Sequence, residues 1–146
     1  MATQYRERVR RHASPAASVV LLVEPKDDNR DMFAEYLQAC GLTVLTADTT
    51  DDGLIRAANA DVIVTGIRMP GSCDGIEFVR RLRNADGTKE KPIIVLTACA
   101  LESDQRRALS AGCDTFLAKP CLPDRLESDV RAALARPKAR LRQTGT

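Results

Sequence analysis

Tryptophan is absent from this 146-residue chain, and two Tyr and three Phe hold the aromatic share to 3%. A core with so few large rings has to be assembled from Val, Ile, Leu and Ala, which suits helices laid against a branched aliphatic sheet. Long apolar runs are also missing: the segment Val19–Val23 is far shorter than the about 18 residues that mark a membrane span. The arginines near the N-terminus lead into no apolar stretch of signal-peptide length, and no cleavage site follows. The expectation is a soluble, cytoplasmic protein that does not engage a membrane. Histidine occurs once, as His12, and the five cysteines (Cys40, Cys73, Cys99, Cys113, Cys121) form no C-x-x-C pair. An odd, unpaired set argues against a disulfide framework, and nothing supplies zinc-ligand spacing.

What is present fits one globular domain, with 44% hydrophobic and 29% charged residues. The charge is divided unevenly. Residues 1–18 carry Arg6, Arg8, Arg10 and Arg11 against Glu7, and residues 136–146 carry Arg136, Lys138, Arg140 and Arg142. With net charges of +3 and +4 in these ends and +2 for the whole chain, the body from 19 to 135 is acidic, at −5. The ends are read as flexible basic tails flanking a domain over 19–135. Such tails can meet nucleic acid or an acidic partner, but without interleaved aromatics or a helical repeat they read as solvated ends.

Along the body, short β-branched runs alternate with helical patterns. Val19-Val-Leu-Leu-Val23 has the continuous apolar character of a strand buried on both faces. A helix over Asp28–Ala39 places Met32, Phe33, Tyr36 and Leu37 at helical spacing and stops at Gly41. Thr43–Thr46 reads as the second strand. Thr50–Ala60 reads as the second helix, with Asp51 and Asp52 in its dipole-favoured first turn. Three more cycles follow. The strands are Val62–Thr65, Pro92–Thr97 and Thr115–Ala118; the helices are Gly75–Asn84, Ser103–Ala111 and one from Pro123 to about Ala135. Five strands each followed by a helix predict an α/β doubly wound, five-strand parallel sheet with right-handed crossovers. The flavodoxin-like order is 2-1-3-4-5, and its crevice lies beyond the carboxyl ends of strands one and three.

That crevice is bordered by Glu24-Pro25-Lys26-Asp27-Asp28 after strand one and Gly66-Ile67-Arg68-Met69-Pro70 after strand three. Thr97 ends strand four and Lys119 follows strand five. Separately, Thr97 is a strand-end threonine and Lys119 a surface lysine. On consecutive strand ends, a hydroxyl and an ammonium read as a site for an anion, a phosphoryl group in particular.

Several separated motifs in the same order resemble the receiver domain of two-component response regulators. They are Leu21-Leu-Val-Glu24, Asn29-Arg30, Ile67-Arg-Met-Pro-Gly71 with Asp74-Gly75, Leu96-Thr-Ala98, Ala111-Gly-Cys-Asp114 and Leu117-Ala-Lys-Pro120, and the similarity spans 19 to about 135. The resemblance implies an acceptor aspartate at the end of strand three, phosphorylated by a histidine kinase, and two acidic residues after strand one that help hold Mg²⁺. It implies a phosphoryl pocket of Thr97 and Lys119, a switch aromatic at Phe116, and a metal-ligating main-chain carbonyl at Arg68. Glu24 matches the first acidic position.

Two positions depart from the pattern. The acceptor position is Gly66 and the second acidic position is Pro25. Phosphoryl transfer needs an oxygen nucleophile in line with phosphorus, which glycine lacks, and Mg²⁺ needs hard oxygen ligands, of which only Glu24 and the Arg68 carbonyl remain. Asp27 and Asp28 stand at the start of helix one, where capping is the expected task. Thr65, one step back along its strand, points to the opposite face. Lys119, with no acceptor aspartate, is expected to pair with Glu24, or to be satisfied by Thr97 and water, because burying it unpaired is costly.

The resulting expectation is an atypical receiver, a pseudo-receiver. It is not an enzyme, needs no cofactor, binds Mg²⁺ weakly at best, and acts by protein–protein interaction in a phosphorelay. The resemblance places its output face on the fourth helix, fifth strand and fifth helix, with Gln105, Arg106, Leu109, Phe116 and Arg125 as candidates. Expected partners are signalling proteins, a histidine kinase or another regulator among them, or a second copy of the chain. With eleven residues after the fifth helix, no DNA-binding module is expected. Two alternatives are a phosphoacceptor whose aspartate was replaced by Gly66, and a flavodoxin-like binder of a small anion; the second lacks a glycine-rich phosphate loop after strand one. Cys73, Cys99 and Cys121 follow strands three, four and five, which raises a thiol or metal site as a further reading, against a bland role as small apolar residues.

Overall fold

A computed structural model describes residues 17–98 and 100–136. The expectations for residues 1–16, Cys99 and residues 137–146 lie outside the described residues. Strands β1 (Val19–Val23), β2 (Thr43–Ala47), β3 (Val62–Thr65), β4 (Ile93–Thr97) and β5 (Thr115–Ala118) alternate with helices. These are α1 (Asp27–Ala39), α2 (Thr50–Arg56), α3 (Gly75–Arg83), α4 (Glu102–Ala111) and α5 (Pro123–Leu134). All four strand pairings are parallel and the sheet order is β2-β1-β3-β4-β5, as the alternation of strand and helix predicts.

Alternate side chains along each strand divide the core into two layers. Leu21, Val23, Ile63, Ile93 and Val95 pack with Ala57, Ile76, Phe78, Leu82 and Ala108 on the side of α2, α3 and α4. Val20, Leu22, Val62, Val64, Ile94 and Leu96 pack with Phe33, Leu37, Leu126 and Val130 on the side of α1 and α5. Aliphatic residues build both layers, as the scarcity of aromatics demands.

The helix expected over Thr50–Ala60 is shorter. It ends at Arg56 and tightens into a 3₁₀ turn over Ala57–Asn59. Lys91 accounts for the change: its ammonium donates to the carbonyls of Ala57, Ala58 and Ala60, drawing the end of the helix into a tighter turn. The capping role expected for Asp27 and Asp28 is also corrected. Lys26 is the residue at the start of α1, no side chain caps it, and both aspartates lie within the first turn, where the helix dipole favours them. Asp27 there pairs with Arg30.

Candidate functional site: the carboxyl edge of the sheet

The carboxyl ends of β1 and β3 lie at one level, and those of β4 and β5 lie two residues further on, so the edge is stepped. Val23 is in register with Thr65, Thr65 with Val95, and Thr97 with Ala118, so Glu24, Gly66, Thr97 and Lys119 follow one another along this edge. Two further main-chain bonds extend the ladder into the crevice: Glu24 N–H donates to Ala47 O (2.9 Å) and Lys119 N–H to Thr97 O (2.9 Å). The Lys119–Pro120 peptide is cis.

Lys119 and Glu24 form an ion pair through Nζ and Oε1. Glu24 is buried, with 7% of its surface exposed, and its Oε2 accepts the Lys26 N–H (3.1 Å). Its main-chain carbonyl accepts from Arg30 Nη1 (2.9 Å). The pairing expected for Lys119 is therefore present. Thr97 is also buried, at 4% exposure. β1 and β5 are separated by β3 and β4, three inter-strand spacings of roughly 4.8 Å. The ion pair thus reaches across the end of β3, where residue 66 has no side chain.

Nothing in the backbone requires glycine at position 66. Its φ is outside the left-handed region, which among the described glycines is occupied by Gly41, Gly71 and Gly112. A Cβ built there would lie 3.5 Å from Met69 Sδ and 3.6 Å from Leu96 O, which is ordinary contact. Gly75 is the opposite case. Its Cβ would come to 1.8 Å from Gly66 O, and its N–H donates to Ile67 O at 2.7 Å, so two stretches of main chain touch at this point. The Thr65 hydroxyl turns onto Gly66 O (3.0 Å).

The loop from Ile67 to Asp74 is tied at both ends. Thr50 N–H donates to Pro70 O (3.1 Å) and Thr50 Oγ1 to Cys73 O (2.8 Å). Asp51 accepts from the amide and hydroxyl of Ser72, and these bonds hold its carboxyl below the usual carboxylate range. Asp74 caps α3 by accepting from Glu77 N–H (2.9 Å). The sequence reading missed the roles of Thr50, Asp51 and Ser72. The signal available was two polar residues opening a helix opposite a Ser-containing loop.

Magnesium would need oxygen ligands at this edge. Pro25 and Gly66 offer none from their side chains, which leaves the Arg68 main-chain carbonyl and Glu24, whose carboxylate oxygens are held by the Lys119 ammonium and the Lys26 N–H. Asp27 is turned to Arg30, and among the described residues no group of three or more His, Cys, Asp or Glu could hold a metal. This donor set does not fit Mg²⁺. Among the described residues the cysteines form no metal-binding group either. Cys73 donates its thiol to Thr50 Oγ1 (3.5 Å), and Cys121 donates to Leu122 O (3.5 Å), its pKa raised by burial. Cys40 and Cys113 are buried, and burial pushes the Cys113 thiol up to about 12.

Of the proposed output face, Gln105, Arg106 and Leu109 are exposed on α4, Arg125 is exposed on α5, and Phe116 on β5 is half-buried against the core. Arg106 pairs with Glu102 and Arg125 with Asp129. Leu101 and Leu122, at the starts of α4 and α5, are the more exposed leucines and were not singled out from the sequence.

A five-strand doubly wound sheet, with a lysine and a threonine on its carboxyl edge, defines the class of flavodoxin-like signalling folds. The chain belongs to the response regulator receiver domain family, whose model matches residues 20–131. It is 38% identical to the KDP operon transcriptional regulatory protein KdpE of Escherichia coli, over 82% of this chain and 52% of that protein. It is 34% identical to the phosphate regulon transcriptional regulatory protein PhoB of Pseudomonas aeruginosa, over 86% of this chain and 52% of that one. The chain thus spans about half the length of these curated relatives. Among solved structures, chemotaxis protein CheY4 of Vibrio cholerae superposes with a TM-score of 0.75 at 29% identity, covering 81% of this chain and 99% of that one. The receiver domain of sensor histidine kinase PA1611 of Pseudomonas aeruginosa, solved with magnesium in its active-site cleft, gives 0.76 at 28%, covering 83% and 100%.

Proposed function

We propose that this receiver domain accepts no phosphoryl group at the usual position and works by binding another signalling protein. The observation that carries this reading is Gly66. It stands at the acceptor position, supplies no nucleophile, and is required by neither the φ angle nor the surrounding space. Pro25 is a second, independent loss at the same edge. The consequence is a domain with no catalytic role and no need of Mg²⁺. Its partner, a histidine kinase, another regulator or a second copy, meets α4, β5 and α5. Exposed Leu109 and Leu122 support an apolar contribution to that contact.

The test has two parts. Incubation with acetyl phosphate and Mg²⁺, read by intact mass, is expected to give no phosphoryl adduct on the natural chain; an adduct would overturn the proposal. Gly66→Asp in the same assay asks whether the rest of the pocket is competent: an adduct on the variant favours the reading of a phosphoacceptor that lost its aspartate. Partner capture by the natural chain but not by Phe116→Ala is expected, and equal capture would remove Phe116 from the interface.

A further inference from the structure

Glu24 and Lys119 do more than satisfy each other. Glu24 is fixed at the start of α1 by the Lys26 N–H and the Arg30 guanidinium, and it is buried. Lys119 immediately follows β5, three residues from Phe116, and leads into the loop before α5. The bond between them therefore ties a fixed point beside α1 to the carboxyl end of an edge strand, and it runs over β3 where Gly66 leaves the way open. A carboxylate on residue 66 would stand between the two and compete for the same ammonium.

We infer that the Glu24–Lys119 bridge takes over the task of setting the position of β5, so that the α4–β5–α5 face is held in one arrangement without any phosphoryl donor. This deepens the reading that Gly66 is not phosphorylated, and rests on it. Lys119 and Glu24 act here as positioning residues: they touch no partner, and their effect reaches Phe116 through the strand.

The experiment is amide hydrogen exchange and two-dimensional amide NMR on the full chain. Glu24→Gln keeps the size and removes the charge. It is expected to speed exchange at Leu117 and Lys119, whose N–H groups face β4, by about tenfold or more while α3 amides stay unchanged, as local rather than global opening requires. Lys119→Met should give the same pattern, and the double variant should add little, because both remove one interaction. The decisive arm is rescue: adding Gly66→Asp to Glu24→Gln supplies a carboxylate on the path of the lost bridge, and exchange at Leu117 and Lys119 should slow again. The inference is overturned if Glu24→Gln and Lys119→Met leave Leu117 exchange as in the natural chain, or if the rescue variant exchanges no more slowly than Glu24→Gln alone. Beryllofluoride with Mg²⁺ should leave the natural spectrum unchanged; a shift at Phe116 would overturn the unphosphorylated reading, while the variant pattern would still report on the bridge.

Discussion

Gly66 and Gly75 touch each other through the main chain, yet alanine at the two positions should have opposite effects. At Gly66 the φ angle is accessible to any residue and the new methyl meets neighbours at 3.5 and 3.6 Å. Gly66→Ala therefore adds no strain and removes conformational freedom from the unfolded chain, a gain of about 0.4–1 kcal/mol. At Gly75 the methyl would come within 1.8 Å of Gly66 O and 2.8 Å of Ile67 Cα. An ordinary carbon–oxygen contact is about 3.3 Å or more, so the backbone must move apart by roughly the difference. The Gly75 N–H···O=C Ile67 bond and the Asp74 cap would be stretched together. A lost hydrogen bond, a lost cap and an overpacked contact together amount to about 3–5 kcal/mol. Equilibrium urea denaturation followed by far-UV circular dichroism measures both variants. The reasoning fails if Gly66→Ala destabilises by more than about 1 kcal/mol, or if Gly75→Ala stays within about 1 kcal/mol of the natural chain. Gly66→Asp provides a third point. It sets a second carboxylate beside Glu24 with one ammonium to share, and should fall below Gly66→Ala by about 1–3 kcal/mol, given that unit charges about 5 Å apart at an effective dielectric near 20 repel by roughly 3 kcal/mol.

Other consequences are open to direct measurement. Arg83 donates to Gly112 O (2.8 Å), Lys91 O (2.6 Å), Lys89 O (3.0 Å) and Asp114 (2.8 Å), so Arg83→Ala should destabilise by about 2–4 kcal/mol in denaturant titration, and Arg83→Lys, lacking the fork, should recover little. The carboxyl of Asp51 is held below its ordinary pKa by Ser72, so its contribution to stability is complete above the unfolded value near 3.9 and is lost as pH falls through the lower folded value. Asp51→Asn should flatten the acid limb of a stability–pH curve, and an unchanged limb would contradict the assignment. With its thiol pushed up to about 12, buried Cys113 should resist iodoacetamide at pH 8 while the chain is folded and react once it is unfolded in urea, as read by peptide mass spectrometry.

The sheet and its order were legible because both faces are covered. Each strand then reads as an uninterrupted aliphatic run such as Val62-Ile-Val or Ile93-Ile-Val-Leu, the pattern of a parallel sheet wrapped on both faces. The Lys119–Glu24 pairing was legible for a related reason, since strand ends converge and a buried ammonium must find a partner. Contacts between distant segments were not legible. Lys91 shortens α2 from 31 to 34 residues away, and the bonds of Thr50 and Asp51 to the loop after β3 depend on register that no local pattern encodes. The roles of Asp27 and Asp28 were misjudged because a capping residue and a first-turn acid look alike in sequence. Which one is present depends on where the first helical φ falls, here at Asp27.

The clasp that α2 places on the loop after β3 bears on the thermodynamics of association. Thr50, Asp51 and Asp74 already fix the loop between Pro70 and Gly75. A partner that meets this edge finds a rigid surface and gives up little chain entropy there. Calorimetry of such a complex should show a heat-capacity change matched to the area covered, without the excess that accompanies a segment folding as it binds.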